Sequence, residues 1–303
     1  MEKNPELITV IIAAYNAERK IRRCLDSILK QSYKNIEIIV VNNGSTDNTE
    51  KIVGEYIKEN NNMILMQQPK QGPGPAKNVA AKEANGDILV FVDSDEYPHK
   101  DYIEKLTKPI REGKAGTSIG SWIIADPKNP WARCRYHDAH CFRQHAVHSG
   151  VFRAIGKKDF LKTGGFDPSK GISDDRLATG LERTRVDKAI FDHDVDNTLS
   201  EIYNKRKWIG KTAIGNKKGR RFKIKIVLVF LLLMLAIIGI IAYSPLLIGI
   251  GIILLLFVIY ATLRKVLFYK DLRLLFYYPL YLAVYIIAMI SGLSSYIFRR
   301  LLR

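Results

Sequence analysis

Short apolar runs alternate with amphipathic stretches along the N-terminal third of the chain. Strands are predicted by four runs rich in β-branched side chains, at Leu7–Ala13, Ile36–Val41, Ile64–Gln67 and Ile88–Val92. Between the first two runs, Ile21, Leu25 and Ile28 recur at helical spacing, and Ala76–Ala84 predicts a further helix. This alternation predicts an α/β fold with a doubly wound, Rossmann-like and mostly parallel sheet.

Polar clusters come directly after three of the predicted strands. YNAE follows the first strand, NNGSTD the second and DSDE the fourth. Because ligands bind beyond the carboxyl ends of the strands in open α/β sheets, these clusters are expected to converge on one rim. Asp93 and Asp95 lie two residues apart, so both point to one side if the strand continues. They could hold one divalent cation (Mg or Mn) with diphosphate oxygens and water, or be a solvated helix start.

The C-terminal region is strongly apolar. Residues 226–263 form a run of 38 residues without a charge, which as one helix would be about 57 Å long, nearly twice the hydrocarbon thickness of a bilayer. Ser244–Pro245 interrupts the run. We therefore predict transmembrane helices at about 226–243, 246–263 and 274–298, although the third segment could instead be interfacial or re-entrant. The predicted domains are a globular domain at 1–215, a basic juxtamembrane linker at 216–225 and a transmembrane region at 226–303.

The formal net charge of +17 is concentrated just before these apolar segments. Residues 205–225 contain ten Lys or Arg and no Asp or Glu. Each such cation contributes on the order of 1 kcal/mol near an anionic membrane, so anionic lipid headgroups are the expected partners, not nucleic acid. The distribution of basic residues predicts a multi-pass protein of the cell membrane with its globular domain in the cytosol. The odd number of cysteines agrees with a reducing compartment.

Four segments together resemble the inverting family 2 glycosyltransferases with a GT-A fold, over about residues 7–215. VIIAAYNAE is similar to the opening strand and loop of that family, and IEIIVVNNGSTDNT to its second strand and loop. GPGPAKNVAAKEANGDILVFVDSDE is similar to the stretch that ends in the family's DxD motif, and GGFDPSKGISDDRLATGL to its GGFDE…EDxxLxxRL segment. The resemblance implies a GT-A catalytic domain that binds a nucleotide-sugar donor and a divalent cation.

The resemblance also implies roles for individual residues of the rim. The residues that would line or border the nucleotide-sugar are Ala13, Tyr15, Glu18, Asn42, Gly72, Lys77, Asn78 and Asp93. Asp93 and Asp95 would hold the metal. Asn42 would meet the base, but the family usually has Asp at this position, which leaves the nucleotide open. The alternative interpretation of Asn42 and Asn43 is ordinary turn chemistry.

Catalysis by inversion requires a carboxylate that takes the acceptor's proton. The resemblance assigns this role to Asp174, with Asp175 as the adjacent alternative, although Asp174 could instead be the N-cap of the next helix. Ser173 and Gly180 depart from the usual Glu and Arg. Residues implied to contact the acceptor or phosphate are His193, Arg206, Lys207 and Trp208.

A cluster of possible zinc ligands has no counterpart in this resemblance. It comprises Cys134, His137, His140, Cys141, His145 and His148. The spacing lacks the strict ligand pairs of structural zinc sites, and arginines are interspersed, so a polar helix is the favoured interpretation.

These observations predict a membrane-anchored glycosyltransferase that moves a sugar from a nucleotide-sugar donor to a lipid-linked acceptor. The arrangement of a catalytic domain and a few C-terminal spans resembles the polyprenyl-phosphate and dolichyl-phosphate sugar synthases. One alternative is a transferase that extends a surface polysaccharide or glycolipid. Another is a catalytically inactive GT-A-like scaffold of a membrane glycosylation complex, which the departures at Asn42, Asn43, Ser173 and Gly180 keep open.

Overall fold

The computed structural model describes residues 6–124, 129–131, 133–134, 152–166, 181–194, 198–212, 245–269 and 272–301. The chain divides into two compact units. The first unit comprises residues 1–125 and 144–195, and the second comprises residues 126–143 and 196–303.

The first unit is built on an eight-stranded sheet with the strand order β3-β2-β1-β4-β7-β6-β8-β5. Its strands are β1 (Ile8–Ala14), β2 (Ile36–Asn42), β3 (Met63–Gln67), β4 (Ile88–Asp93), β5 (Glu96–Pro98), β6 (Thr117–Ile124), β7 (Ala154–Gly156) and β8 (Arg183–His193). The helices of this unit are α1 (Ile21–Leu29), α2 (Thr49–Glu59), α3 (Pro73–Glu83), α4 (Tyr102–Arg111) and α5 (Lys157–Lys162).

The sheet is mixed, and this qualifies the expectation of a mostly parallel one. Strands β3, β2, β1 and β4 are parallel, as the alternating pattern predicted. Strand β7 pairs antiparallel with β4 and with β6, and β5 pairs antiparallel with β8. The parallel half is the part of the sheet whose strands are connected by the helices α1, α2 and α3, which is the connection that parallel neighbours require.

Hydrophobic side chains cover both faces of the sheet. In β1, Ile8, Val10 and Ile12 pack with residues of α1 and α4, whereas Ile11 packs on the opposite face with residues of α3. On that second face Phe91 lies at the centre of an aromatic cluster. Its ring centroid is 5.8 Å from that of Phe152, 5.2 Å from Phe160 and 5.1 Å from Phe166. Burial on both faces explains why the strands are continuous apolar runs.

The second unit contains the helices α6 (Leu199–Thr212), α7 (Pro245–Tyr269) and α8 (Leu274–Leu301). Helix α7 begins at Pro245, a favourable first residue for a helix because proline lacks the backbone N–H that would be unpaired there. Trp131 and Cys134, which precede the helices of the second unit in the chain, contact α8 and α7. There Trp131 contacts Tyr277 edge-on with centroids 4.6 Å apart, and Lys265 Nζ donates to the carbonyl of Cys134 at 2.5 Å.

Among the helices that the structure describes, none combines the length and the apolar character needed to cross a bilayer. The first predicted span, 226–243, lies outside the described residues. The second and third predicted spans, 246–263 and 274–298, fall within α7 and α8, which do not support them, and all three spans stay predictions from the sequence.

Candidate active site

The parallel strands of the first unit end together at one edge of the sheet. Ala13 lies opposite both Val41 and Asp93 in the strand register, and Asn42 lies opposite Gln67. The three polar clusters of the sequence are therefore neighbours, as the strand pattern predicted. This rim holds the predicted donor-binding residues that follow β1, β2 and β4.

Hydrogen bonds tie the loop after β1 to the loop after β2. The Ala17 N–H donates to Thr49 Oγ1 at 2.8 Å, and Glu18 Oε2 accepts from both the backbone and the side chain of Asn48 at 3.1 Å. Asn16 has a positive φ of 47°, and its side-chain oxygen accepts from the Thr46 N–H at 2.9 Å. Glu18, predicted to line the nucleotide site, thus also holds the two loops together.

Tyr15 is the aromatic side chain of this edge, and it is 39% exposed. The ammonium of Lys70 lies 3.7 Å from the centroid of its ring, within cation–π distance. The backbone of Lys70 lies close to Gly44, where a Cβ would be 3.0 Å from the Lys70 backbone nitrogen. Because Gly44 has a φ of +73°, a side chain there would be disfavoured by both conformation and space.

Asn42 is buried and its side chain is fully engaged. Its Nδ2 donates to Gln67 Oε1 at 2.8 Å and to Glu50 Oε2 at 3.2 Å, while its Oδ1 accepts from the Ser45 N–H at 3.0 Å. The neighbouring Asn43 has a turn role, because its Oδ1 accepts from Gln68 and from the Gln71 backbone. The turn interpretation of both residues therefore has direct support in these contacts.

Asp93 lies between two buried cations. Lys77 Nζ is 2.9 Å from its Oδ1, and Arg153 Nη1 is 3.2 Å from its Oδ2. Burial alone would raise the pKa of Asp93, but the positive charges of Lys77 and Arg153 outweigh burial and the nearby Asp95, and hold that pKa well below its ordinary value. Both carboxylate oxygens of Asp93 are therefore occupied by cations of the protein itself.

Arg153 joins Asp93 to a second carboxylate, that of Glu96. Arg153 Nη2 donates to Glu96 Oε1 at 2.5 Å, and the Asp93 N–H donates to Glu96 Oε2 at 3.0 Å. Burial raises the pKa of Glu96 to about 8 against the opposing charge of Arg153, with Asp93 and Asp95 adding to the increase. Sequence reasoning missed Arg153; its only signal was a basic residue next to the apolar Phe152, Ala154 and Ile155.

Asp95 does not continue the strand, so the strand geometry that would place it on the same side as Asp93 is absent. Strand β4 ends at Asp93, residues 94 and 95 form a turn, and Glu96 folds back into the protein to meet Arg153. Asp95 Oδ2 instead lies 3.5 Å from His193 Nε2. The ring of His193 contacts Trp122 edge-on, with centroids 5.6 Å apart.

The donor set around Asp95 suits a divalent cation whose coordination is shared with a ligand. A carboxylate oxygen and an imidazole nitrogen are both ligands for Mn, and Mg is commonly held by one or two carboxylates with phosphate oxygens and water. Within the described residues, no group of three or more His, Cys, Asp or Glu is arranged to hold a metal. Asp95 and His193 would supply at most two ligands, so diphosphate oxygens and water would have to complete the coordination of a cation there, while Asp93 faces Lys77 and Arg153.

The residues predicted around α3 differ in what they contact. Gly72 precedes the helix with a φ of 107°. Asn78 acts as a clamp within the fold, since its Oδ1 accepts from the Phe166 N–H and its Nδ2 donates to the Phe166 carbonyl, both at 2.8 Å. Gly165 allows this contact, because a Cβ there would lie 2.5 Å from Asn78 Oδ1.

Several predicted residues lie elsewhere. Asp174, Asp175, Ser173 and Gly180 are outside the described residues, as are the four histidines and Cys141 of the proposed zinc cluster. Arg206 and Lys207 belong to the second unit, where the guanidinium of Arg206 lies 4.6 Å from the Tyr285 ring centroid and Lys207 Nζ lies 5.5 Å from that of Tyr203. The side chain of Trp208 is outside the described part.

Comparisons with known proteins show that the segment containing this rim matches a protein family. The profile of the family described as glycosyl transferase family 2 matches residues 9–166. Glycosyltransferase GlyA of Streptococcus pneumoniae serotype 4 is 42% identical over 115 residues, which are 38% of this chain and 16% of that protein. Glycosyltransferase GlyG of the same organism is 38% identical over 122 residues, which are 40% of each protein. The chain thus matches less than half of the length of either relative.

A crystal structure of S. aureus TarS is also similar to this chain. The two share 21% sequence identity over 69% of this chain and 40% of that chain, with a TM-score of 0.49.

Proposed function

The chain belongs to glycosyl transferase family 2, and on this premise we propose that it is an inverting glycosyltransferase that takes its sugar from a nucleotide-sugar donor. The donor would lie at the rim formed by the ends of β1, β2 and β4. The resemblance of the loops after β1 and β2 supports placing the nucleoside near Tyr15 and Asn42. The diphosphate would then lie towards Asp93 and Asp95.

The observation that carries this proposal is the cluster of charges around Asp93. Lys77 and Arg153 are only 4% and 6% exposed, and both contact this carboxylate at the carboxyl end of a parallel strand. Buried cations at such an edge are a preorganised electrostatic environment, and their charge-assisted hydrogen bonds suit phosphate as well as carboxylate. Since Asp93 and Glu96 balance the two cations, a diphosphate leaving group at this edge would also need the positive charge of a bound divalent cation.

Asp95 and His193 would hold the divalent cation, Mg or Mn. When bound, such a cation supplies positive charge against the negative charge that develops on a departing diphosphate. Lys77 and Arg153 would keep Asp93 ionised and fixed in place. Asp174, or the adjacent Asp175, would take the proton of the attacking acceptor hydroxyl, as the resemblance implies.

We further propose a lipid-linked acceptor, namely a polyprenyl phosphate or a sugar-bearing lipid diphosphate, with the catalytic domain on the cytosolic side of the cell membrane. The basic residues between 205 and 225 support this assignment, because Lys and Arg bind phosphate headgroups through charge-assisted hydrogen bonds. His193, Arg206, Lys207 and Trp208 stay candidates for acceptor or phosphate contacts. Large apolar side chains exposed on α7 and α8, such as Phe257 at 64% and Phe276 at 81%, suit a lipid environment.

The test is the release of nucleoside diphosphate from a panel of nucleotide-sugars by the purified full chain with Mg or Mn. Asp95→Ala should abolish metal-dependent turnover, because it removes a predicted ligand of the cation. Asp87→Ala is the matched control, since Asp87 is an exposed aspartate just before the start of β4, whereas Asp95 follows its end. Equal turnover by Asp95→Ala and the wild-type protein would overturn the assigned role of this carboxylate.

The acceptor is tested separately with membranes, radiolabelled nucleotide-sugar and polyprenyl phosphate. Label that enters the lipid fraction supports the lipid-linked acceptor. Donor turnover without labelled lipid would contradict the acceptor assignment and leave the transferase assignment intact. Donor binding without hydrolysis or transfer would instead favour the inactive scaffold.

A further inference from the structure

The side chain of Asn42 is enclosed by three hydrogen bonds within the rim. Its two N–H groups are donated to Gln67 Oε1 and Glu50 Oε2, and its oxygen accepts from the Ser45 N–H. The residue is 3% exposed, whereas Glu50 and Gln67 are exposed. Asn42 therefore connects the end of β2 to two surface side chains from α2 and β3.

These three contacts determine the orientation of the Asn42 amide chemically. If its oxygen and nitrogen were exchanged, the oxygen would face two acceptors, on Gln67 and Glu50, and the NH₂ group would face the Ser45 N–H. The contacts with Glu50 and with the Ser45 N–H would become repulsive, and Gln67 would have to turn its own amide to keep its bond. The observed orientation is the one in which every polar atom of the amide has a complementary partner.

Glu50 also explains why residue 42 is neutral. A carboxylate at position 42 would place a negative oxygen close to the Glu50 carboxylate, which now accepts from Asn42 at 3.2 Å. Gln67 could adapt by turning its own amide, but Glu50 has no donor to offer when it is ionised. Glu50 lies in the first turn of α2, where the helix dipole favours its negative charge. The pair Asn42 and Glu50 is thus compatible where Asp and Glu would repel.

We propose that Glu50 and Gln67 are the specificity-determining pair that reads the base of the donor nucleotide, with Asn42 as the residue that positions both. This inference rests on the proposed function, because it needs a nucleotide at this rim. The oxygen of Gln67 is engaged by Asn42, so its amide offers N–H donors to a ligand, while Glu50 offers only acceptors. An adjacent donor and acceptor match the alternating groups on the edge of a nucleobase.

The experiment reverses the hydrogen-bonding group that residue 50 or residue 67 offers to a nucleotide, while each residue keeps an oxygen that accepts from Asn42. Glu50→Gln retains an oxygen for Asn42 but offers N–H donors to a ligand, and Gln67→Glu retains an oxygen but loses its donors. Calorimetry with UDP, CDP, GDP and ADP in the presence of Mg measures the four dissociation constants. Each variant should change the ratio between the tightest and the next nucleotide by about tenfold, since one hydrogen bond is reversed.

Glu59→Gln is the matched control, because Glu59 is an exposed glutamate at the other end of the same helix. It should leave all four dissociation constants unchanged. If the wild-type protein binds nucleotides but both rim variants keep its preference, the pair does not read the base and the proposed function still stands. If the wild-type protein binds none of the four nucleotides with Mg, the proposed donor site and this inference are both overturned.

A second readout tests the positioning role without any nucleotide. Asn42→Asp should lower the melting temperature by several degrees, since two carboxylates then meet, and adding Glu50→Gln should restore most of the loss. Independent effects of the two substitutions would show that residues 42 and 50 are not coupled, and would overturn the assigned positioning role of Asn42.

Discussion

At the scale of single residues, Arg153 determines how the acidic residues after β4 are arranged. It lies 57 and 60 residues from its two carboxylate partners along the chain. Through Arg153, Glu96 is turned inward and is 1% exposed, and Asp95 is left at the turn that faces His193. In the motif DSDE, Asp93 is thus ion-paired with Lys77 and Arg153, Asp95 is a candidate metal ligand, and Glu96 is buried.

Replacing Arg153 with Met should strongly destabilise the protein. The change removes the cation that binds both Asp93 and Glu96, and breaking a buried pair from one side typically costs about 3–5 kcal/mol. Chemical denaturation measures the free energy of unfolding. Adding Glu96→Gln to Arg153→Met should recover part of the loss, because a neutral amide at position 96 cannot ionise beside Asp93 once Arg153 is gone. An unchanged unfolding midpoint in Arg153→Met would show that the pair is not needed for stability.

Glu37 gives a prediction of pH dependence. Burial would raise its pKa, but hydrogen bonds from Thr9, Asn85 and Gly86 outweigh burial and lower it below its ordinary value of 4.5. The stabilisation is therefore present above pH 4.5 and is lost as the pH falls through the lower pKa of the folded state.

The glutamine variant of Glu37 tests this dependence. Glu37→Gln should be less stable than the wild-type protein at pH 7, by about 1–3 kcal/mol, because bonds to a charged acceptor are lost. The difference should shrink as the pH falls below 4.5. Thermal unfolding between pH 7 and pH 3 measures both curves, and a difference that is independent of pH would contradict the prediction.

At the scale of elements, the turn after α5 is fastened to α3 through Asn78 and Phe166. Gly164 and Gly165 in this turn both have positive φ values, of 78° and 77°. A Cβ at Gly165 would lie 2.5 Å from Asn78 Oδ1, whereas a Cβ at Gly164 would have nothing within 4 Å. A substitution at Gly164 therefore measures the loss of stability from backbone conformation alone, whereas one at Gly165 adds the loss from a steric clash.

Gly165→Ala should be more destabilising than Gly164→Ala. Both substitutions place a side chain in the left-handed region, at a cost of about 1–2 kcal/mol. Only Gly165→Ala also displaces Asn78, and with it the paired hydrogen bonds to Phe166. Denaturant unfolding of the two variants measures the difference, and equal losses of stability would show that the clamp contributes nothing beyond the backbone effect.

At the scale of the whole molecule, the proposed membrane attachment can be measured directly. Apolar side chains on α7 and α8 are exposed, among them Ile253 at 67% and Leu267 at 76%. Apolar burial is insensitive to screening, whereas the attraction of a basic segment for anionic lipid falls with ionic strength. The two contributions should therefore respond differently to salt.

The full chain is expected to float with liposomes in a density gradient even at about 1 M salt, where the Debye length is only about 3 Å. Replacing Lys217, Lys218, Arg220 and Arg221 with Gln should weaken binding to anionic vesicles at low salt and leave the binding at high salt unchanged. Release of the wild-type protein at high salt would show that attachment is electrostatic only and would contradict the proposed anchor.

Local pattern by itself determined the parallel half of the sheet and the location of the candidate site. The runs that became β1, β2 and β4 are apolar because both faces of these strands are buried, and the polar residues after them meet because parallel strands end at one edge. Three of the four segments that carried the resemblance to family 2 include these runs, and the match over residues 9–166 confirms the family; the fourth segment, 164–181, lies almost entirely beyond that match.

Only the tertiary structure decided which partner each polar side chain has. Arg153 reaches Asp93 and Glu96, Asn42 joins Glu50 to Gln67, and Asn78 holds Phe166, which is 88 residues away. Contacts of this kind depend on the order of strands in the sheet and on which turns fold inward. Hydrophobic periodicity indicates only which side of a helix or strand is buried. It therefore does not predict which charged or amide side chains from different elements will contact each other.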